Sequence, residues 1–253
     1  MPTSATNPVR TTEKSLRIIR TLKELNGGRV TEIADHLDTS KSVVHNHLTT
    51  LEEHGYVVKK NDEYQLGLQF LNIGGYTRNR MDLYKIAEPE VQKLAQKTNE
   101  LASLMTHEQG LGIYLYRSKG EEAVDGDTYA GLRTYLHTTA LGKAILAYMP
   151  RSQSDEILED HGLPAETDNT ITDPTELRTE LEEIRERGYA IDNEERIRGL
   201  YCVAAPIQKD DQVLGAISVS APKGRTNDDR FKNEVPELVC STANVIELNV
   251  KYP

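Results

Sequence analysis

Apolar residues at Val30, Ile33, Ala34 and Leu37 recur at i, i+3, i+4 and i+7, which marks one face of a helix. Asp38 and Thr39 interrupt the pattern, and Val44, Leu48 and Leu51 resume it. Thr39 and Ser40 suit the start of this later helix, because a side-chain oxygen there can accept from free N–H groups of the first turn. Gly55 is placed to end it in a left-handed conformation. Upstream, Leu16, Ile19, Leu22 and Leu25 predict an earlier helix. Downstream, residues 56–58 and 64–66 predict two short strands, with Asn61 and Asp62 supplying the turn chemistry between them. Three helices and a hairpin are the layout of a winged helix-turn-helix, whose recognition helix enters the DNA major groove.

With Val44, Leu48 and Leu51 inward, the outer face of that helix carries Lys41, Ser42, His45, Asn46 and Thr49, and Thr39 and Ser40 stand just ahead of it. Asn can pair bidentately with adenine, and Lys can reach guanine or a phosphate. Any solvated helix face is polar, but the short turn, the caps and the hairpin together favour base reading.

The chain then divides as follows: a flexible N-terminus over 1–10, the DNA-binding domain over 11–67, a linker helix over 68–81 and a second domain over 82–253. The linker has an apolar edge of Leu68, Leu71 and Ile73, and Gly74-Gly75 allows a bend. In the second domain the pattern predicts helices over 82–98 and 139–149 and strands over 101–106 and 112–116. Pro89 is expected to limit only the early turns of the first of these helices. Asp173-Pro174 opens a helix that runs to Gly188. Strands over 201–207 and 213–219 are joined by Lys209-Asp210-Asp211. A last helix follows Asn227 and runs to about Val250, disturbed at Pro236. Several strands covered by helices make an α+β fold.

Charge adds a division of labour. The 253 residues hold 30 Lys/Arg and 40 Asp/Glu, a formal net charge of −10. Residues 1–66 hold nine of each, so the DNA-binding part is neutral and the whole excess of acid lies beyond it. Phosphate attraction favours basic proteins. Either the acidic part is held away from the duplex, or the protein works in a salt-rich cytoplasm where such fields are screened. Two cysteines, Cys202 and Cys240, make no disulfide framework and no metal-spaced cluster. No apolar run is long enough to span a membrane, the first residues have no signal-peptide core, and no cofactor motif occurs, so a cytoplasmic protein without metal or cofactor is expected.

In the second domain, residues 137–149 bring Thr138, Thr139 and small residues to a helix start, a natural anion site. Asp192 precedes the strand that carries Cys202. Ser218 and Ser220, at i and i+2, share one face of a strand. These groups could line a polar pocket. Equally, the serines could lie on a solvated face, with Cys202 a small core residue.

The segments SKSVVHNHLTTLEEHGYV, YQLGL, HTTALGKAILA, GYAIDNEERIRGLYCVAAPI and LGAISVSAPKGR give nearly the full chain a resemblance to the IclR family of transcriptional regulators. The resemblance implies an N-terminal winged helix-turn-helix and a C-terminal GAF-like effector-binding domain. It also implies homodimers or dimers of dimers on palindromic double-stranded operators, with small organic, sugar-derived or aromatic acids as effectors. Carried over residue by residue, the pocket falls on Ala140, Leu141, Asp192, Leu200, Cys202, Ser218 and Ser220. Two positions depart from the family: Asn46 stands where Arg is usual, and His47 where an apolar residue is usual. Tyr129 and Tyr135, if turned inward, would favour a ring or sugar-like ligand. Competing readings are a small-molecule enzyme with an accessory helix-turn-helix and Cys202 as nucleophile, and an architectural DNA protein. The latter would want a basic, sequence-tolerant surface, which is absent here. If the acidic excess is an adaptation to salt, thermal melts followed by circular dichroism will shift upward from dilute to multimolar KCl. A protein at its most stable in dilute buffer would contradict that origin.

Overall fold

In the computed structural model, which describes residues 7–124, 128–226 and 230–252, the N-terminal apolar stripes meet in one small core. Helices α1 (Arg10–Glu24), α2 (Val30–His36) and α3 (Lys41–Glu53) bury Ile18, Leu22, Ile33, Ala34, Val44 and Leu48. The hairpin β1 (Val57–Lys60) and β2 (Glu63–Leu66) closes this core with Val57 and Tyr64. Ser40 is the N-cap of α3, its Oγ accepting from the Val43 N–H at 3.4 Å. Asn61 and Asp62 both have positive φ, 47° and 67°, as a two-residue hairpin turn of the strand-twist-matching type requires. The stripe expected on α1 is corrected: Leu16 and Leu25 are exposed, and the inward pair is Ile18 and Leu22. Residues spaced by three fall back about 60° per step on a 3.6-residue helix, so a run of three such steps winds half-way round it. The expected flexible segment falls mostly on residues 1–6, outside the described residues; α1 itself begins at Arg10.

Helix α4 (Gln69–Asn79) runs unbroken through Gly74-Gly75, and Leu68 and Leu71 are exposed. Contacts divide the chain into two units, residues 2–78 and 79–253.

The second unit is built on an antiparallel sheet. Its strand order is β5 (Arg133–Tyr135), β4 (Leu111–Lys119), β3 (Leu101–Glu108), β8 (Gln212–Pro222), β7 (Leu200–Lys209) and β6 (Ala190–Asn193). Alternation along β7 decides the layers. Val203, Ala205 and Ile207 pack with α5 (Asp82–Thr98) and α9 (Val235–Lys251) in one core. Cys202 and Ala204 face the other core, shared with α6 (Ala140–Tyr148) and α8 (Pro174–Arg187). The result is an α+β, GAF-like domain with helices on both faces of the sheet.

Several sequence expectations change here. β5 and α7 (Arg151–His161) were not anticipated. Pro89 sits in the interior of α5, where its missing N–H costs one backbone bond but leaves the helix unbroken. The expected disturbance at Pro236 is present: a π-helical turn, Arg230–Glu234, runs directly into α9 and gives way to it one residue before the proline, whose missing N–H breaks the regular pattern there. Asn227, expected to precede this helix, is outside the described residues. Among the described residues no helix is long and apolar enough to cross a membrane.

The start of α6 depends on one glycine. A Cβ on Gly142 would lie 2.1 Å from the carbonyl oxygen of Leu136, in the 3-10 turn Leu136–Thr138 that leads into the helix. Gly142→Ala should therefore destabilise the fold by about 1–3 kcal/mol in denaturant unfolding, as overpacking does. An unchanged midpoint would show that the turn can withdraw freely.

Candidate functional site

On α3 the side chains of Lys41, Ser42, His45, Asn46 and Thr49 are exposed, and Thr39 is half-buried. The Ser40 hydroxyl is engaged in the cap, and the Thr49 hydroxyl donates to the carbonyls of Asn46 (3.0 Å) and His45 (3.1 Å). Asn46 and Lys41 keep their polar ends on the outer face. His47 turns the other way: its Nδ1 lies 2.8 Å from the Ser15 Oγ, tying α3 to α1. The departure at His47 thus belongs to helix packing, and Asn46 is the departure on the exposed face.

In the second unit, strand register builds a cavity. Asp192 on β6 pairs with Cys202 on β7, Cys202 with Ser220 on β8, and Ser220 with Leu101 on β3. The neighbouring row on the same face is Ala204, Ser218 and Ser103. Asp192 is therefore a member of a strand, not a residue ahead of one. Its pairing rather than its place in the sequence brings it beside the thiol. The first turn of α6 and the β6–β7 loop cover these rows. All seven residues named from sequence line this single cavity: Ala140, Leu141, Asp192, Leu200, Cys202, Ser218 and Ser220.

Thr139, named at the helix start, lines it too, as do Ser103, Tyr114 and Arg196, which were missed. Ser103 was readable in hindsight, since it shares the face of Leu101 at i+2. Arg196 lies in a loop, where no periodicity points. Tyr129 is exposed and Tyr135 lines a separate cleft, so Tyr114 is the ring that reaches the cavity. The solvated-face reading of the serines fails, because Ser218 and Ser220 are 1% and 7% exposed.

The cavity is narrow, with a mostly apolar wall that carries a few polar groups. Its open volume is about 30 Å³, room for roughly one or two waters. The Ser218 hydroxyl is buried there with no hydrogen-bond partner among the described residues. The N–H groups of Ala140 and Leu141 lie in the helix turn that has no intrahelical acceptors, while Thr139 Oγ1 caps the N–H of Gly142 at 2.9 Å. Burial, and then the negative charge of Glu195, push the Asp192 carboxyl up to about 7. Near neutrality it is therefore partly protonated and can donate as well as accept. Burial, and then Asp192, push the Cys202 thiol up as well, and its contact is the Ser220 hydroxyl. A buried, protonated thiol is a poor nucleophile.

One buried ion cluster braces this arrangement. Lys143 of α6 is 1% exposed, and its Nζ lies 2.6 Å from Glu195 Oε1 and 3.5 Å from Glu180 Oε1 of α8. Arg187 meets the same Glu180 oxygen at 2.7 Å. The Glu195 N–H in turn donates to Asp192 Oδ1 at 2.7 Å. Burial raises the Glu195 carboxyl despite the attraction of Lys143. Among the described residues no group of three or more His, Cys, Asp or Glu side chains is placed to hold a metal ion.

Comparison with known proteins follows this geometry. Residues 11–60 match the IclR helix-turn-helix domain, and residues 76–248 match the bacterial transcriptional regulator IclR C-terminal. A Halobacterium salinarum protein named as the HTH-type transcriptional regulator ArcR is 38% identical over 94% of this chain and 92% of its own. The HTH-type transcriptional regulator BhcR of Paracoccus denitrificans is 33% identical over 88% of this chain and 81% of its own. The crystal structure of the Thermotoga maritima IclR superposes with a TM-score of 0.79 at 30% identity, covering 96% of this chain and 99% of that one. These relatives are named as regulators, not enzymes.

The raised carboxyl at Asp192 has a thermodynamic sign. A folded-state value near 7 against an ordinary 3.8 means that the native state holds the proton more tightly than the unfolded chain. The associated stability is present below pH 4 and is lost as pH rises through 7. Asp192→Asn keeps an acceptor for the Glu195 N–H but cannot ionise. Measured by urea unfolding, the wild-type protein should lose about 2–3 kcal/mol relative to this variant between pH 5 and pH 8, the rest of a total of about 4 kcal/mol being lost already below pH 5. A difference that does not change with pH would mean that Asp192 ionises as an ordinary surface carboxyl does.

Proposed function

The chain belongs to the IclR family of transcriptional regulators, with a DNA-binding helix-turn-helix and an effector-binding C-terminal domain, and from that premise we propose what it reads and senses. Helix α3 reads a palindromic operator, with Lys41, Ser42, His45, Asn46 and Thr49 turned to the groove and Thr39 and Ser40 at its rim. The protein acts in the cytoplasm as a homodimer or a dimer of dimers, which supplies the two recognition helices that a two-fold operator needs. The cavity of the second unit senses a small organic acid, with sugar-derived and aromatic acids in the same class.

The observation that carries the sensing role is the Ser218 hydroxyl, buried and unpartnered among the described residues in a cavity that also holds the first turn of α6 and Arg196. A buried hydroxyl without a partner is costly, and a ligand carboxylate or hydroxyl would relieve it. Asp192, when protonated, donates to such a ligand, and Leu200 packs its apolar part. Pockets for small organic ligands are roughly ten times larger than the space present here. Binding must therefore part α6 from the β6–β7 loop. A ligand with unequal affinity for the narrow and widened states shifts their populations, which is the requirement for a switch. The chain is a regulator rather than an enzyme, and the Cys202 thiol is part of the wall.

Footprinting on duplexes recovered by binding-site selection tests this reading. It should show a short protected palindrome that changes when one of a panel of small carboxylic acids is added. Ser218→Ala combined with Ser220→Ala should keep the footprint and the melting transition but lose the response. Uniform coating of unrelated DNA, or a double variant that still responds, would overturn it.

A further inference from the structure

We propose that the cleft between α1 and the turn entering α3 seats a DNA phosphodiester, held by Lys14 and Arg17. The proposal rests on the DNA-reading role of α3 and adds the contact that positions it. Arg10, Lys14 and Arg17 follow one another at i, i+4 and i+7, so they form a single basic stripe along α1. All three are exposed. Among the described residues the side chains of Lys14 and Arg17 make neither an ion pair nor a hydrogen bond, although residues 1–66 hold nine acids for nine bases. Two cations have thus been left unneutralised side by side.

Their position gives them a partner. Lys14 and Arg17 line a cleft of about 260 Å³ whose other walls are Leu37, Asp38, Thr39 and Val43. Thr39 stands immediately before the cap of α3, so the cleft opens beside the end of the helix that meets base edges. In helix-turn-helix docking, the recognition helix occupies the groove while a preceding helix crosses the sugar-phosphate backbone. A neutral domain gains nothing from its overall field and must place its cations locally to benefit from counterion release. Asp38 is the one carboxylate on the cleft. It sets two positive charges against one negative and weakens the site without cancelling it. Asp38 also holds a left-handed backbone, φ 48°, which Asn adopts readily. Asp38→Asn therefore removes the charge without straining the turn.

Fluorescence anisotropy with the full chain, on a selected operator and on a random-sequence duplex, measured across KCl concentration, decides the matter. Lys14→Gln combined with Arg17→Gln should flatten the slope of log Kd against log KCl by about 1 per bound protomer on both duplexes, close to one per lost phosphate contact. Base preference should not change. Asp38→Asn should tighten binding several-fold at low salt. Lys97→Gln, on α5 in the other unit, should leave the slope as it is. Asn46→Ala should relax preference at one base position without flattening the slope. A folded Lys14/Arg17 double variant with the wild-type slope, or an Asp38→Asn variant that binds no tighter, overturns the phosphate seat while leaving the reading of α3 intact. A wild-type protein that binds neither duplex overturns both.

Discussion

A lysine ammonium enclosed by protein must be met by charge, and Lys143 imposes that condition on the sensing unit. Its side chain is 1% exposed, so leaving the ammonium unpaired would cost several kcal/mol. Glu195 and Glu180 answer it from two different elements, the β6–β7 loop and α8. Glu195 can do so only if the loop turns inward, and that turn delivers its N–H to Asp192. The position of Asp192, the rise of its carboxyl and the closure of the cavity by Arg196 and Ile197 follow from this bracing. The same cluster links the cavity wall to α6 and α8. Any ligand that parts loop from helix works against it.

The reading unit is arranged on a different principle. Its core is a handful of apolar side chains, and its acids and bases nearly balance, nine of each over residues 1–66. Recognition there cannot depend on bulk attraction to phosphate. It depends on where polar side chains sit: Asn46 and Lys41 outward on α3, His47 drawn back to Ser15, and Lys14 and Arg17 left unpaired beside Thr39. An acidic sensing unit and a neutral reading unit with local cations suit a protein whose field contributes little and whose contacts contribute most.

Much of this was legible in the chain. The helix-turn-helix followed from i, i+3, i+4 spacing, from Ser40 as a cap and from two residues with turn chemistry, all of which are local. The cavity residues came from resemblance rather than from spacing, since Ser218 and Ser220 at i and i+2 are equally compatible with a solvated face. Failures cluster where a residue's fate depends on something distant. Leu16 and Leu25 share the apolar character of Ile18 and Leu22, yet only the pair that meets α2 and α3 is buried. Pro89 reads as limiting only the early turns of its helix, yet it stands in the interior of α5, which continues because Ala87 before it and Val91 after it are buried. Arg196 and Tyr114 carry no local mark of a binding wall.

By itself, then, the sequence determined the type and order of most elements, the neutral-versus-acidic division and the outward face of α3. Each is decided within a few residues by side-chain periodicity, capping and charge count. Only the tertiary structure decided that Asp192, Cys202, Ser220 and Leu101 stand in one row, that Ser218 is buried without a partner among the described residues, and that Lys14 and Arg17 flank Thr39. Those relations arise from strand register and helix crossing. They join residues more than a hundred positions apart, such as Leu101 and Ser220, and no local free-energy preference encodes them.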